Sequence, residues 1–226
     1  MFFSEKLPTF DLPGFGRVVD RFWRDGIVNG AQTMVQQQDD SQNSFDPTAR
    51  VIKLYLNYCF IDIEGFRAGK RPMLIKEIAW FNLSTLRGDN IIFRFNSEQA
   101  KDLTPSDWKQ MKYFTKFIHG MPFFYGSQDY SALAIIIRVI QSQCQCLITK
   151  GAEKAVILGK LFNLPIIDLG ETEGTPSYFK LATKFPIPDN FWCDFHKKQK
   201  TALPHCAMTK INLLLSYVLS RNISKP

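Results

Sequence analysis

The sequence predicts an α/β protein on a mixed sheet: a three-strand meander, then alternating helices and strands, with helices flanking the sheet. Three observations predict it. Residues 51–63 (VIKLYLNYCFIDI) alternate in polarity and are rich in β-branched and aromatic side chains, and 73–83 and 90–95 repeat the habit. Beyond residue 104 the apolar period lengthens to helical spacing. Short apolar runs then return between the helices, and strands alternating with helices imply a sheet with helices packed on it.

Each element has its own signal. Residues 1–37 form an extension whose Val18, Val19, Phe22, Trp23, Ile27 and Val28 recur at helical spacing, weakened at Gly26 and Gly30. Residues 38–50 are polar and read as a linker, so the folded domain spans 51–222. Arg87-Gly-Asp-Asn90 reads as the turn between the second and third strands. Thr104-Pro105-Ser106-Asp107 is an N-cap with Pro in the first turn, opening a helix over 108–118. A second helix covers 129–143, with Leu133, Ile136, Ile137 and Ile140 on one face. A buried strand at 144–149, a helix at 152–162 and a strand at 164–169 follow. Residues 170–190 form a Pro- and Gly-containing excursion, and 205–220 the last helix. No internal repeat is evident.

Composition narrows the function. A 45% hydrophobic fraction and 20 Phe among 226 residues can fill a core, and a net charge of +7 favours a polyanionic partner such as nucleic acid. Five cysteines, an odd number at irregular spacing, suggest reduced thiols and an intracellular, nuclear or cytoplasmic, setting. The N-terminus lacks the apolar core of a signal peptide. The apolar segments 132–137 and 211–215 are too short to span a bilayer, which argues against a membrane partner.

The most informative stretch is Cys193-Asp-Phe-His196, followed by His205-Cys206-Ala207-Met208 at the start of a helix. Two cysteines and a histidine converging from a loop and a helix start have the layout of a structural zinc site. Asp62 and Glu64 are two carboxylates at i and i+2, on one face of the first strand, where both can grip one divalent metal. Lys197, Lys198 and Lys200 form a basic run in the same loop that can track phosphates. Phe191, Trp192 and Phe195 beside them are candidates for stacking on bases.

The order of elements, with Asp62-Ile-Glu64, Lys76-Glu77-Ile78-Ala79 and His205 five positions before Lys210, resembles the DEDDh exonucleases of the RNase H-like superfamily. The resemblance implies a metal-dependent site in which His205 is the general base and Glu153 stands near an internal aspartate position. A lysine, Lys210, sits where that pattern supplies a metal-binding aspartate, so its ammonium would pair with Asp62 and Glu64 and block the site. Cys193-x2-His196, Cys206-Ala-Met208 and Glu77-Ile-Ala-Trp80 are similar to the Maelstrom-type domain, an exonuclease relative with a Glu-Cys-His-Cys zinc site. This chain departs from that domain in keeping Asp62 and Glu64 and in placing His205 beside Cys206. The fourth ligand is Glu77, from the resemblance, or His205, from proximity. Adjacent residues at a helix start point about 100° apart, which favours Glu77.

These readings imply a zinc-stabilised, catalytically degenerate domain that binds nucleic acid, single-stranded RNA in the first instance. By the resemblance it would serve small-RNA or transposon silencing. One alternative is an active 3′–5′ exonuclease using Asp62, Glu64, Glu153 and His205 with magnesium or manganese. Another is a protein-interaction scaffold that docks a partner through the N-terminal helix.

Overall fold

A computed structural model describes residues 58–67, 69, 72–172, 174–187, 192–199 and 205–223. The expected N-terminal helix, the linker and the first half of the first strand lie outside the described residues, as do Phe191 and Lys200.

Six strands form one sheet: β1 (Tyr58–Phe66), β2 (Leu74–Asn82), β3 (Arg87–Arg94), β4 (Gln128–Asp129), β5 (Cys146–Thr149) and β6 (Ile166–Asp168), in the order β4-β3-β2-β1-β5-β6. The meander β1–β2–β3 is antiparallel, whereas β5 joins β1, and β6 joins β5, in parallel. Among the described residues eight α-helices accompany the sheet: α1 (Ser97–Ala100), α2 (Pro105–Tyr113), α3 (Leu133–Gln143), α4 (Ala152–Phe162), α5 (Leu169–Thr172), α6 (Tyr178–Lys184), α7 (Asp194–Gln199) and α8 (Ala207–Ile223). Every β1 residue after Tyr58 is buried, although successive side chains face opposite ways. Both faces of the central strand are therefore covered, as an α/β sheet requires.

Three expectations change in detail. The turn between β2 and β3 is Leu83–Leu86, not Arg87–Asn90. Asn82 makes it, its side-chain oxygen accepting from the N–H groups of Ser84 and Thr85 at 2.8 and 3.0 Å. Gly88 is a strand residue, and a Cβ there would lie 2.6 Å from the Trp80 carbonyl oxygen. The helix expected over 108–118 starts at Pro105 under a Thr104–Asp107 capping box and ends in a wide π turn, Phe114–Ile118. The excursion after residue 170 contains a helix of its own, α6, capped by Ser177.

The reading of reduced thiols is corrected at one pair. Cys59 of β1 and Cys144, just after α3, are joined as a disulfide with Cα atoms 5.8 Å apart. Cys146, Cys193 and Cys206 are free. Among the described residues no helix is long and apolar enough to cross a membrane.

α8 packs over β1 and β2, and at residue 64 the register of those strands places Glu64 directly opposite Glu77. Paired residues of antiparallel strands share a face, and Asp62 shares it by alternation. Three carboxyl groups thus lie side by side on one face. Gly65 follows at a bulge, where a Cβ would meet the Leu74 carbonyl oxygen at 2.2 Å.

Candidate metal centre and the adjoining ion cluster

Glu77, Cys193, His196 and Cys206 converge, each offering a ligand atom, with all of these atoms within 4.8 Å of one another and all four residues buried. A tetrahedral ion with sulfur ligands at about 2.3 Å needs ligand–ligand edges of about 3.8 Å, so the group is of the right size for one ion. Sequence spacing brings Cys193 and His196 together, since one precedes α7 and the other lies in its first turn. Cys206 immediately precedes α8 and Glu77 lies in β2. Of the two candidates for the fourth ligand, the structure brings Glu77 into the group and not His205.

The surroundings orient the ligands. His196 Nε2 lies 2.6 Å from the carbonyl oxygen of His119, which can only accept, so Nε2 carries the proton. In the neutral ring, Nδ1 then presents a lone pair to the cluster, and it lies 2.9 Å from Cys193 Sγ. Fixing a ligand imidazole through its other nitrogen is the usual outer-shell device of metal sites. Glu77 Oε1 accepts from Asn90 Nδ2 at 2.6 Å, and Oε2 accepts from the N–H of Ala207 at 3.0 Å. Cys206 Sγ and Glu77 Oε1 are 3.4 Å apart.

Without an ion, protons bind the group together. Burial, joined by the charge of Cys206, pushes Glu77 well above the ordinary carboxyl range. The hydrogen bond to Cys206, with burial, pushes the Cys193 thiol up. Burial opposes charge on His196, but Cys206 and Glu77 outweigh it and raise the ring to about 9. Burial also works against the Cys206 thiolate, yet hydrogen bonds from Cys193 and His196 hold it well below the usual thiol value. Four electron-pair donors close around a space that wants positive charge.

Beside this group lies a second cluster. Lys154 Nζ donates to both carboxylate oxygens of Asp62 at 2.8 Å and to Glu64 Oε1 at 2.7 Å. Lys210 Nζ also donates to Glu64 Oε1. Lys210 thus reaches Glu64, one of the two carboxylates expected for it, and Lys154 is the cation that grips Asp62. Burial pushes Asp62 up to about 6 against the pull of Lys154 and Lys210. At Glu64 the same ammoniums outweigh burial and hold the carboxyl below its ordinary range. Tyr178 of α6 closes over the cluster, its ring 5.4 Å from Lys210 Nζ and 5.3 Å from Lys150 Nζ.

The remaining candidates divide. Glu153 does not reach Asp62 and Glu64; it pairs with Arg67 where both side chains are about half exposed. One residue along the helix turns the side chain by about 100°, so Lys154 points in where Glu153 points out. His205 is half-buried ahead of α8; burial and then Lys210 lower its basicity, while Glu64 opposes them. Lys197 and Lys198 are exposed on α7. Phe195 is buried, its ring 4.7 Å from Tyr125 and 5.2 Å from His196, so it packs around the metal group rather than offering a face to bases.

No family model matches this chain, and no curated protein matches it.

Proposed function

We propose that this chain is a zinc-stabilised, catalytically degenerate exonuclease-like domain of the RNase H-like class that binds nucleic acid, with single-stranded RNA as the first candidate. The observation that carries the reading is the pair of ammoniums, Lys154 and Lys210, on the two carboxylates that would otherwise hold a catalytic metal. A two-metal hydrolytic site needs carboxylates facing divalent cations. Here the carboxylates are neutralised from within and Tyr178 lies over them. The meander followed by two parallel strands is the order on which the likeness to exonucleases rests. The donor set of two thiolates, an imidazole and a carboxylate favours zinc over magnesium or calcium, which take oxygen ligands. A net charge of +7 supports a polyanionic partner. Small-RNA or transposon silencing is the biological setting this likeness suggests.

The test uses the full chain and a fluorescently labelled single-stranded RNA. Binding is expected to weaken steeply with salt, and the RNA should stay intact in magnesium or manganese. Replacing Lys197, Lys198 and Lys200 with Ala should lower affinity and reduce the log–log salt slope by about 2. Cleavage that is abolished by Asp62→Ala would establish the nuclease reading in place of this one.

A further inference from the structure

The face of α2 and its π turn carries aromatic rings that the core does not use. Tyr113 and Phe117 are 54% and 56% exposed, and Phe124, on the loop that follows, is 58% exposed. Tyr113 and Phe117 lie four residues apart with ring centroids at 5.1 Å, and Phe124 touches Trp108 with centroids at 6.3 Å. Met111 and Asp107 point the other way and are buried, so the helix has already placed its core side.

Lysines run through this exposed face. Lys109, Tyr113 and Phe117 follow at i, i+4 and i+8, and Lys112 and Lys116 form the neighbouring row. All three lysines are exposed, and Lys116 Nζ sits 5.0 Å from the Phe117 ring centroid. Among the described residues no carboxylate forms an ion pair with any of them.

The geometry points to a binding surface for single-stranded nucleic acid on α2, with Tyr113 and Phe117 stacking on bases and Lys109, Lys112 and Lys116 holding phosphates. Rows of flat rings and cations side by side match a strand whose bases and phosphates also run side by side. A membrane-surface helix instead segregates a broad apolar face from its charged face, whereas Lys109 shares the row of Tyr113 and Phe117. Here the exposed large apolar side chains of this face are aromatic. The inference rests on the nucleic-acid reading above and adds where the strand lies, on a helix separate from α7.

The test is fluorescence anisotropy of the full chain with a labelled twelve-nucleotide oligouridine, alongside ultraviolet cross-linking of the unmodified chain. Tyr113→Ala with Phe117→Ala should weaken binding about tenfold or more with the salt slope unchanged. Changing Lys109, Lys112 and Lys116 to Ala should weaken it and reduce the slope by about 2. Cross-links should map to the peptide holding Tyr113 and Phe117, a result that needs no variant to fold. If the parent binds but the variants bind equally well and cross-links fall elsewhere, this surface is overturned while the nucleic-acid reading stands. A parent that binds no single strand overturns both. Loss of binding to phosphatidylserine vesicles, with RNA binding intact, in the ring variant would assign the face to a membrane and overturn the inference.

Discussion

Two groups of four side chains, the first buried and the second with buried carboxylates under partly buried lysines, sit next to each other on one face of the sheet, and they solve the problem of buried charge in opposite ways. Glu77, Cys193, His196 and Cys206 are all electron-pair donors and could hold a cation from outside. Asp62 and Glu64 are matched by Lys154 and Lys210, so that cluster carries its own cations. The same structural parts build both: Glu64 and Glu77 are cross-strand partners, and Cys206 and Lys210 lie one helical turn apart at the start of α8. One residue type therefore decides which group could hold a metal. A thiolate at the start of α8 makes a ligand; a lysine one turn later makes a substitute for the ion.

The largest expected effect comes from breaking the first group. Structural zinc contributes about 10–16 kcal/mol in small zinc-dependent folds, as much as the whole stability of an ordinary domain. Purified protein should contain about one zinc per chain, and Cys206→Ser or chelation should lower Tm by more than about 10 °C. Because Cys193 and His196 are held up, the thiol and the ring carry protons at pH 7 in the metal-free state. Metal uptake should then release protons, seen in calorimetry as a heat that varies with the buffer. A Cys206→Ser protein that melts like the parent would remove the metal from the structure.

Breaking the second group should cost less, about 3–5 kcal/mol for Lys154→Met, because one carboxylate is left buried without its cation. Denaturant unfolding of parent and variant measures it. The same cluster predicts the result of restoring carboxylates. Lys210→Asp alone leaves Lys154 bound to Asp62 and Glu64, so manganese affinity should emerge only when Lys154 is changed as well. Manganese binding by the Lys210→Asp protein would show that Lys154 gives way easily.

Much of the first group was legible from sequence, and of the second Asp62, Glu64 and Lys210 were singled out through the resemblance to exonucleases, but not Lys154. Cys193-x2-His196 and Cys206 declare themselves, because thiols and an imidazole at that spacing have few other uses. Glu77 does not, since a glutamate in an apolar strand looks like any other; the residues alone left His205 open, and only the β2 register puts the carboxyl under α8. Lys154 was hidden for a different reason. A charged pair in the first turn of a helix usually faces solvent, and the helical rotation that separates Glu153 from Lys154 shows only once the helix is docked. The Cys59–Cys144 disulfide escaped because an odd cysteine count says nothing about pairs 85 residues apart. The meander was read from alternation and β5 and β6 from short apolar runs, whereas β4 was missed because its two residues are too few to carry a period.

The smallest effect is the sharpest check on the second group, and it concerns the pH profile of stability. Asp62 is wholly buried and its carboxyl stands at about 6 in the folded chain, against an ordinary 3.8. As pH falls from 7 towards 4, the folded state takes up this proton before the unfolded state does, so stability rises through that window. Glu64 acts in the opposite sense: its carboxyl is held below the ordinary 4.5, and its contribution is lost as pH falls below that value. Together they place a maximum near pH 4, close to the ordinary values of the two carboxyls. Asp62→Asn should remove the rise of about 1–3 kcal/mol between pH 7 and 5 and leave the acid-side loss due to Glu64. Urea titrations of both proteins at saturating zinc give the two profiles, and their difference isolates Asp62 from the metal ligands. The level of the variant's curve will also fall, because Lys154 loses its two-oxygen partner, but only the slope is diagnostic. Parallel profiles between pH 5 and 7 would mean that Asp62 reaches water, and that Lys154 is a surface contact rather than the cation at the centre of a closed site.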